Sequence, residues 1–266
     1  MLQIAVCMKQ VPALNEGKMD EGMGTLIRKD IPPVVNVYDL TSLEAALRLK
    51  EEHGGTVTVF SMGPESAESL LREAFAMGAD RSVLVTGPEF AGADAVATAY
   101  ALAQAIKVKG PFDLILCGRQ TTDGDTAQVG GAIAQFLDIP SVYWVSRIHA
   151  ATPEGCTVTA LTAKGQASCR VDFPCLLTVE RELAVPRIPG LRAKIAAKKR
   201  QPECLTLREL PDRDPAHYGR QGSGTRVIKI FSPREPEPAA AVSMGGKEAA
   251  ACILGWLDEP AEGGIR

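Results

Sequence analysis

The sequence predicts an α/β fold: an open parallel sheet with helices on both faces, an added antiparallel strand region and an extended C-terminal arm. Three observations carry this. Short apolar runs alternate with helical patterns as far as residue 137, in the order β-α-β-α-β-α-β-α. After Pro140 the pattern changes to short strand-like runs with glycine turns. From Pro186 onward prolines recur at 189, 202, 211, 215, 233, 236 and 238, leaving little room for a core of their own.

The elements follow in order. Residues 2–8 read as a buried strand. Residues 41–53 read as a helix, with Thr41 and Glu44 as a capping box, Leu43, Ala46 and Leu47 as its apolar stripe, and Gly54-Gly55 as its stop. Residues 56–61 form the second strand. Pro64 opens a helix that ends at Gly78. Residues 82–86 are the third strand, 93–108 an Ala-rich helix, and 113–117 the fourth strand. A helix is expected from about 125 to 137. The runs 141–149, 156–163, 166–172 and 175–181 read as antiparallel strands turning at Gly155 and Gly165. A last helix spans 246–258, with Ile253, Leu254 and Leu257 on one face. The expected division is a compact α/β domain over 1–185 and an arm over 186–266 that needs a surface to lie on.

Composition narrows the function. Of 266 residues, 45% are apolar and 23% charged, and 29 Lys+Arg against 32 Asp+Glu give a formal net charge of -3. No overall basic field exists to hold nucleic acid, and 5% aromatic residues is lean for base stacking. The longest apolar stretches fall far short of the roughly 18 residues of a membrane span. The opening residues lack a basic n-region and a cleavage site, so no signal peptide is expected. Seven cysteines occur without a Cys-x-x-Cys, which argues against zinc and iron–sulfur sites and for free thiols in a reducing cytoplasm. His53, His149 and His217 are isolated and read as ordinary surface or loop residues; no catalytic set and no metal motif emerges.

Open parallel sheets bind ligands beyond the carboxyl ends of their strands. Four segments stand there: Cys7-Met8-Lys9-Gln10, Ser61-Met62-Gly63-Pro64, Gly87-Pro88, and the run from Cys117 through Gly118, Arg119 and Gln120 to Gly131. The last is the richest. Gly118, Gly124 and Gly130 let backbone approach a ligand. Asp123, Asp125 and Thr126 can cap the following helix, whose free N–H groups attract phosphate. Arg119 offers a fork of donors. Two aspartates beside a phosphate are awkward, so at least one is expected to cap backbone or grip a ribose. The run fits neither G-x-G-x-x-G nor G-x-x-x-x-G-K-[ST]. Two readings stand: a nucleotide site, or a Gly/Asp-rich turn that caps a helix.

At this point the residues are similar to a known family. Val6-Cys-Met-Lys-Gln-Val-Pro12, Asn36-Val-Tyr-Asp39, Leu43-Glu-Ala-Ala-Leu-Arg-Leu-Lys50, Ser61-Met-Gly-Pro64, Ala76-Met-Gly-Ala-Asp80, Gly92-Ala-Asp94, Cys117-Gly-Arg-Gln120, Asp123-Gly-Asp-Thr-Ala-Gln-Val-Gly130, Pro186-Arg-Ile-Pro-Gly-Leu191 and Lys198-Lys-Arg200 occur in order along the chain. Together they resemble the β (small) subunit of the electron transfer flavoproteins. The resemblance implies a Rossmann-like domain, a heterodimer with an α subunit that carries an FAD, and an adenine nucleotide in the β subunit. That nucleotide is AMP in simple carriers. In the flavin-bifurcating branch it is a second FAD that takes a hydride from NADH.

Simple carriers tend to have an Asp-Asp-Asp-Cys-Asn-Gln loop, whereas this chain has Gly124 and Ala127 there and so resembles the two-FAD branch. Arg119-Gln-Thr-Thr122, Tyr143 and Pro174-Cys-Leu-Leu-Thr-Val179 look like β subunits paired with dehydrogenases of the lactate or acyl-CoA type. Two departures stand out: Asn36-Val37 where the branch has Asn-Pro, and Val129-Gly130-Gly131 where it has Val-Gly-Pro. Loss of each proline relaxes backbone rather than deleting a contact.

Carried over by position, the cofactor-binding residues are Cys7 and Lys9, Asn36 and Asp39, Met62, Cys117, Gly118, Arg119, Gln120, Asp123, Gly124, Asp125, Thr126, Ala127, Gln128, Val129 and Gly130. Cys7 and Cys117 read as pocket lining rather than redox thiols, since neither has a basic or histidine neighbour in sequence; Lys9 reads equally as a solvated strand-end lysine. The family resemblance makes 186–200 the loop that docks a dehydrogenase, with Leu191 as the apolar anchor and Arg187 and Arg192 in its basic rim. The arm and last helix would wrap the α subunit. The chain is thereby expected to be a cytoplasmic electron-transfer subunit with no catalytic side chains of its own.

Overall fold

Strand β1 (Leu2–Cys7) runs near the middle of the sheet because both of its faces are apolar. Leu2, Ile4 and Val6 point into one core, Ala5 and Cys7 into another. The chain is described from a computed structural model, which covers residues 1–13, 19–20, 25–26, 33–228 and 243–258. The prolines at 233, 236 and 238 lie outside the described residues.

Short strands follow β1: β2 (Gln10–Pro12), β3 (Met19–Asp20), β4 (Thr25–Leu26) and β5 (Pro33–Val35), with β2 paired to β5 and β3 to β4. Then come helix α1 (Val37–His53), β6 (Gly55–Met62), α2 (Glu68–Met77), β7 (Arg81–Val85), α3 (Ala95–Lys109), β8 (Leu114–Gly118) and α4 (Val129–Leu137). The later strands are β9 (Ser141–Ala151), β10 (Gly155–Thr162), β11 (Gly165–Asp172) and β12 (Cys175–Val179), followed by α5 (Leu191–Lys198) and β13 (Glu203–Leu205). The nine long-sheet strands lie in the order β11-β10-β9-β12-β8-β1-β6-β7-β13. One core lies between the sheet and α1 and α2, with Leu43, Leu47, Leu71, Leu114 and Leu116 fully enclosed. The other lies between the sheet and α3 and α4, around Phe60, Ile115, Leu176 and Ile133. Each such side chain contributes about 1.5–3 kcal/mol by leaving water. The expected α/β architecture, with helices on both faces, is the one observed.

Several local expectations are corrected. The first helix starts at Val37, not at 41, so there is no Thr41–Glu44 capping box. Thr41 is buried inside the helix, where its hydroxyl faces the Arg181 carbonyl at 3.4 Å, and Glu44 pairs with arginines. The helix expected from 125 starts at Val129, because Asp125 and Ala127 take left-handed backbone angles, φ 50 and 53, that a right-handed helix excludes. Run 175–181 does not pair antiparallel. Strand β12 inserts between β8 and β9, parallel to both, and only the β9–β10 and β10–β11 pairings within the large sheet are antiparallel.

The segment after 185 also contributes to the sheet. Strand β13 extends it parallel to β7. Asp94 caps α3 through Val96 and Ala97 and also accepts from Thr225, fixing the chain there. Residues Met1–Ile230 cluster as one compact unit and Phe231–Arg266 as another. The second unit contains helix α6 (Gly246–Asp258), on which Ile253, Leu254, Trp256 and Leu257 are exposed. Among the described residues no helix is long and apolar enough to cross a membrane.

Candidate functional site

Parallel pairing brings the carboxyl ends of β1, β6 and β8 together, with Cys7 opposite Cys117 and Cys7 opposite Phe60. The loops that leave these ends, together with the start of α1, form the site. Asn36 sits at the N-cap position of α1 and sends its side-chain amide to the Gln120 carbonyl at 2.8 Å. Its backbone N–H reaches the Lys9 carbonyl at 3.0 Å. Asp39, in the first turn, accepts the Lys9 backbone N–H at 2.7 Å. Gly118 is required beside it: a Cβ there would lie 2.3 Å from Asp39 Oδ1 and 2.7 Å from Tyr38 Cβ. Lys9, Gly118 and Gln120, from the ends of β1 and β8 and the loop after β8, thus meet the start of α1. Val37, where the family's proline would stand, is simply its first helical residue, a position that tolerates either.

Burial pushes the Asp39 carboxyl up to about 7, against the hydrogen bonds from Lys9, Asn36 and the Gly118 backbone that favour its ionised form. The Cys117 thiol is held well above its usual range by the neighbouring Cys7 sulfur and by burial. That suppresses its thiolate and supports a lining role. All seven cysteines are free.

The loop from 119 to 128 is not capped as its composition suggests. Asp123 takes the Lys9 ammonium at 2.7 Å and the Gly124 N–H at 2.7 Å. Burial raises its carboxyl, but Lys9 and Thr121 outweigh that and hold it below the ordinary value. The Lys9 ammonium offsets the Asp123 charge within the loop. Gln128 stands at the α4 N-cap position with no side-chain cap bond, and neither Asp125 nor Thr126 supplies one. The N–H groups of the first turn of α4 are therefore available to an anionic ligand.

Arg119 does not present its fork to the loop. Its Nη1 donates to Glu180 at 2.7 Å and its guanidinium lies 4.4 Å over the Trp144 ring. Glu180, Trp144 and Thr178 were not legible as site residues: their roles rest on contacts across the sheet. Trp144 itself has φ 57, and its backbone N–H donates to the buried Thr178 hydroxyl at 2.9 Å. Neighbouring Tyr143 fills the space over Gly131, where a Cβ would lie 2.0 Å from its hydroxyl oxygen. Here the absent proline has a steric reason.

An open groove of about 750 Å³ begins at Thr126 and Ala127 and runs along Tyr143, Trp144, Leu161 and Cys169. A second cavity of about 380 Å³, by Asp80, Arg81 and Arg200, lies at the amino end of β7, apart from these residues. Met62 packs against the α3–α4 core. His217 pairs with Asp212 at 2.6 Å, and none of the three histidines joins the groups described above. Among the described residues no cluster of three His, Cys, Asp or Glu could hold a metal.

In the docking segment, Leu191 is 74% exposed as the first residue of α5, and Ile188 is 91% exposed. Arg187 is turned inward onto α1, against the expectation of a free rim charge.

Comparison with known proteins adds the following. A family model described as "Electron transfer flavoprotein domain" matches residues 23–209. The chain is 43% identical over 249 residues to "Electron transfer flavoprotein subunit beta" of Thermoanaerobacterium thermosaccharolyticum, covering 93% of this chain and 95% of that one. It is 42% identical over 233 residues to "Caffeyl-CoA reductase-Etf complex subunit CarD" of Acetobacterium woodii, covering 87% and 88%. It is 37% identical over 245 residues to "Protein FixA" of Rhizobium meliloti, covering 90% and 84%.

Proposed function

Since the chain belongs to the electron transfer flavoprotein family, as a β subunit acting in electron transfer, we propose that it holds a second FAD and, with its α subunit, moves electrons from NADH to a dehydrogenase and another acceptor by flavin-based bifurcation. The observation that carries this reading is the apolar groove that opens at Ala127, directly beside the uncapped start of α4. AMP would use the helix start alone; a dinucleotide has a ring system to place, and the groove is of the right polarity and size.

The residues divide the work. The first-turn N–H groups of α4 would hold the phosphates, and Gly124 leaves them uncrowded, with only the Thr121 hydroxyl within 4 Å of a Cβ built there. Asn36, whose Oδ1 is buried without a partner, and the backbone of the 7–9 and 117–120 segments would hold the nucleoside. Lys9 and Asp123 bridge the two sides of the site. Arg119 acts from behind by fixing Glu180 and Trp144. When bound, the flavin supplies the redox chemistry. The exposed Ile188–Leu191 segment, with Arg192 beside it, would dock a flavin dehydrogenase of the lactate or acyl-CoA type. The relative named as part of a caffeyl-CoA reductase complex supports the latter class. Free thiols throughout suit the cytoplasm.

The test is nucleotide content. The chain is co-expressed with its α subunit, the complex is denatured, and released FAD and AMP are quantified by chromatography. A second FAD and no AMP are expected. One FAD accompanied by AMP would make this chain a structural nucleotide holder in a simple carrier and overturn the reading of the groove.

A further inference from the structure

The exposed apolar segment is held from beneath by an ionic fork. The Arg187 guanidinium meets Glu44 through Nε at 2.8 Å and Nη2 at 3.2 Å, and Glu51 through Nη1 at 2.6 Å and Nη2 at 3.1 Å. Its backbone N–H also donates to Glu44, at 3.1 Å. Glu44 and Glu51 stand two helical turns apart on one face of α1, the spacing that lets one planar fork reach both. Arg48 completes the arrangement, with Nε on Glu44 at 2.8 Å and Nη2 on the Val185 carbonyl at 3.3 Å. The Glu44 side chain is only 4% exposed, so the bonds to it are shielded from competing water, while Glu51, 57% exposed, makes the outer branch. Directly alongside, Val185, Ile188 and Leu191 are 80%, 91% and 74% exposed. A segment with so much apolar surface in water does not hold its shape by burial. The fork on α1 supplies what burial does not.

We infer that Glu44, Glu51 and Arg187 form a positioning clamp that pre-organises the Val185–Leu191 segment for its partner, an inference resting on the reading of that segment as a docking surface. Arg187 then acts through geometry, not as a rim charge. Lysine keeps the charge but cannot bridge two carboxylates in one plane, so Arg187→Lys separates the two roles. Pre-organisation lowers the cost of ordering a segment at encounter, so its loss falls on partner affinity and not on turnover.

The experiment compares wild type, Arg187→Lys, Glu51→Gln and Leu191→Ala as full complexes with the α subunit. Electron transfer is measured over a range of concentrations of an acyl-CoA dehydrogenase reduced with butyryl-CoA, and amide exchange over 184–192 is followed by mass spectrometry. For Arg187→Lys a rise in KM for the dehydrogenase of about tenfold is expected, with kcat and nucleotide content unchanged and faster exchange in the segment. Glu51→Gln, which removes only the exposed branch of the fork, should give a smaller change of the same kind. If Leu191→Ala raises KM while Arg187→Lys matches wild type, the clamp is overturned and docking stands. If Leu191→Ala is itself silent, the docking reading fails and the clamp's role fails with it, whatever the exchange rates do.

Discussion

Replacing Gly130 with alanine tests whether the start of α4 is held against the sheet as closely as the site requires. A Cβ at Gly130 would lie 2.6 Å from Thr178 Cγ2, with Cys117 Cβ at 3.4 Å and Leu176 Cδ2 at 3.6 Å behind it. Ordinary carbon contacts are about 3.5–4.0 Å, so the helix start must lift by about an ångström. Thr178 cannot yield in its place. It is 1% exposed, and its hydroxyl accepts the Trp144 N–H at 2.9 Å. Overpacking of this kind costs about 1–3 kcal/mol. The better helix propensity of alanine returns at most about 1 kcal/mol. A net destabilisation of about 1–2 kcal/mol remains, read as a fall in Tm of roughly 2–4 °C per kcal/mol for a chain of this size.

Thr178→Ser removes the opposing methyl and keeps the hydroxyl for Trp144. Serine alone should cost about 1 kcal/mol for the buried methyl, and the double variant should be more stable than the sum of the singles by about 1 kcal/mol. Thermal unfolding of the four proteins, each with its α subunit at one fixed concentration, measures the coupling. Additive losses, or a Gly130→Ala protein as stable as wild type with full nucleotide content, would refute the close packing of α4 on β12.

Two further predictions concern charge. Gly124→Asp has room in the fold, since nothing but the Thr121 hydroxyl lies within 4 Å of the added Cβ. It should leave the Tm of the nucleotide-free complex unchanged yet lower FAD retained after gel filtration severalfold, by setting a carboxylate near the phosphates; full retention would displace the ligand from this loop. Asp39 is neutral more readily folded than unfolded, its carboxyl rising from 3.8 to about 7 on burial. The stability from that proton is fully present below pH 3.8 and is lost as pH rises through about 7. At 1.36 kcal/mol per unit the loss reaches about 4 kcal/mol. Asp39→Asn cannot ionise, so its Tm should gain on wild type between pH 5 and pH 8; parallel Tm curves would exclude a buried carboxylate that titrates there.

The strand–helix alternation was legible because its cause is local: period-two and 3.6-residue apolar patterns decide which faces are buried. Leu2, Ile4 and Val6 against Ala5 and Cys7 announce a strand covered on both sides. What escaped the sequence is set by partners far along the chain. Thr41 and Glu44 spell a capping box, but Lys9, thirty residues before Asp39, pins Asp39 into a helix that has already begun. Arg119 reads as a phosphate fork until Glu180, sixty-one residues later, is found under it. The direction of β12 is decided by its place between β8 and β9, for which its own apolar run carries no sign. Glycines were the better guide within the site. Gly118 stands against Asp39 and the Tyr38 backbone, and Gly130 against the Thr178 methyl, close approaches that any added Cβ would crowd.

Ala127 shows how the loop trades backbone comfort for space. Its φ of 53 is one that alanine enters at a cost of roughly 1–2 kcal/mol, while asparagine bears it more easily. Simple carriers of the family tend to have that asparagine. Ala127 has no amide to ease that turn, so the strain is carried by the backbone alone. The small side chain leaves volume where Ala127 lines the groove. Glycine at 127 would relieve the strain and free more room, but it would also loosen the turn that aims the Thr126 and Gln128 backbone at the start of α4. Alanine is the smallest side chain that keeps the turn defined while leaving the groove beside it open.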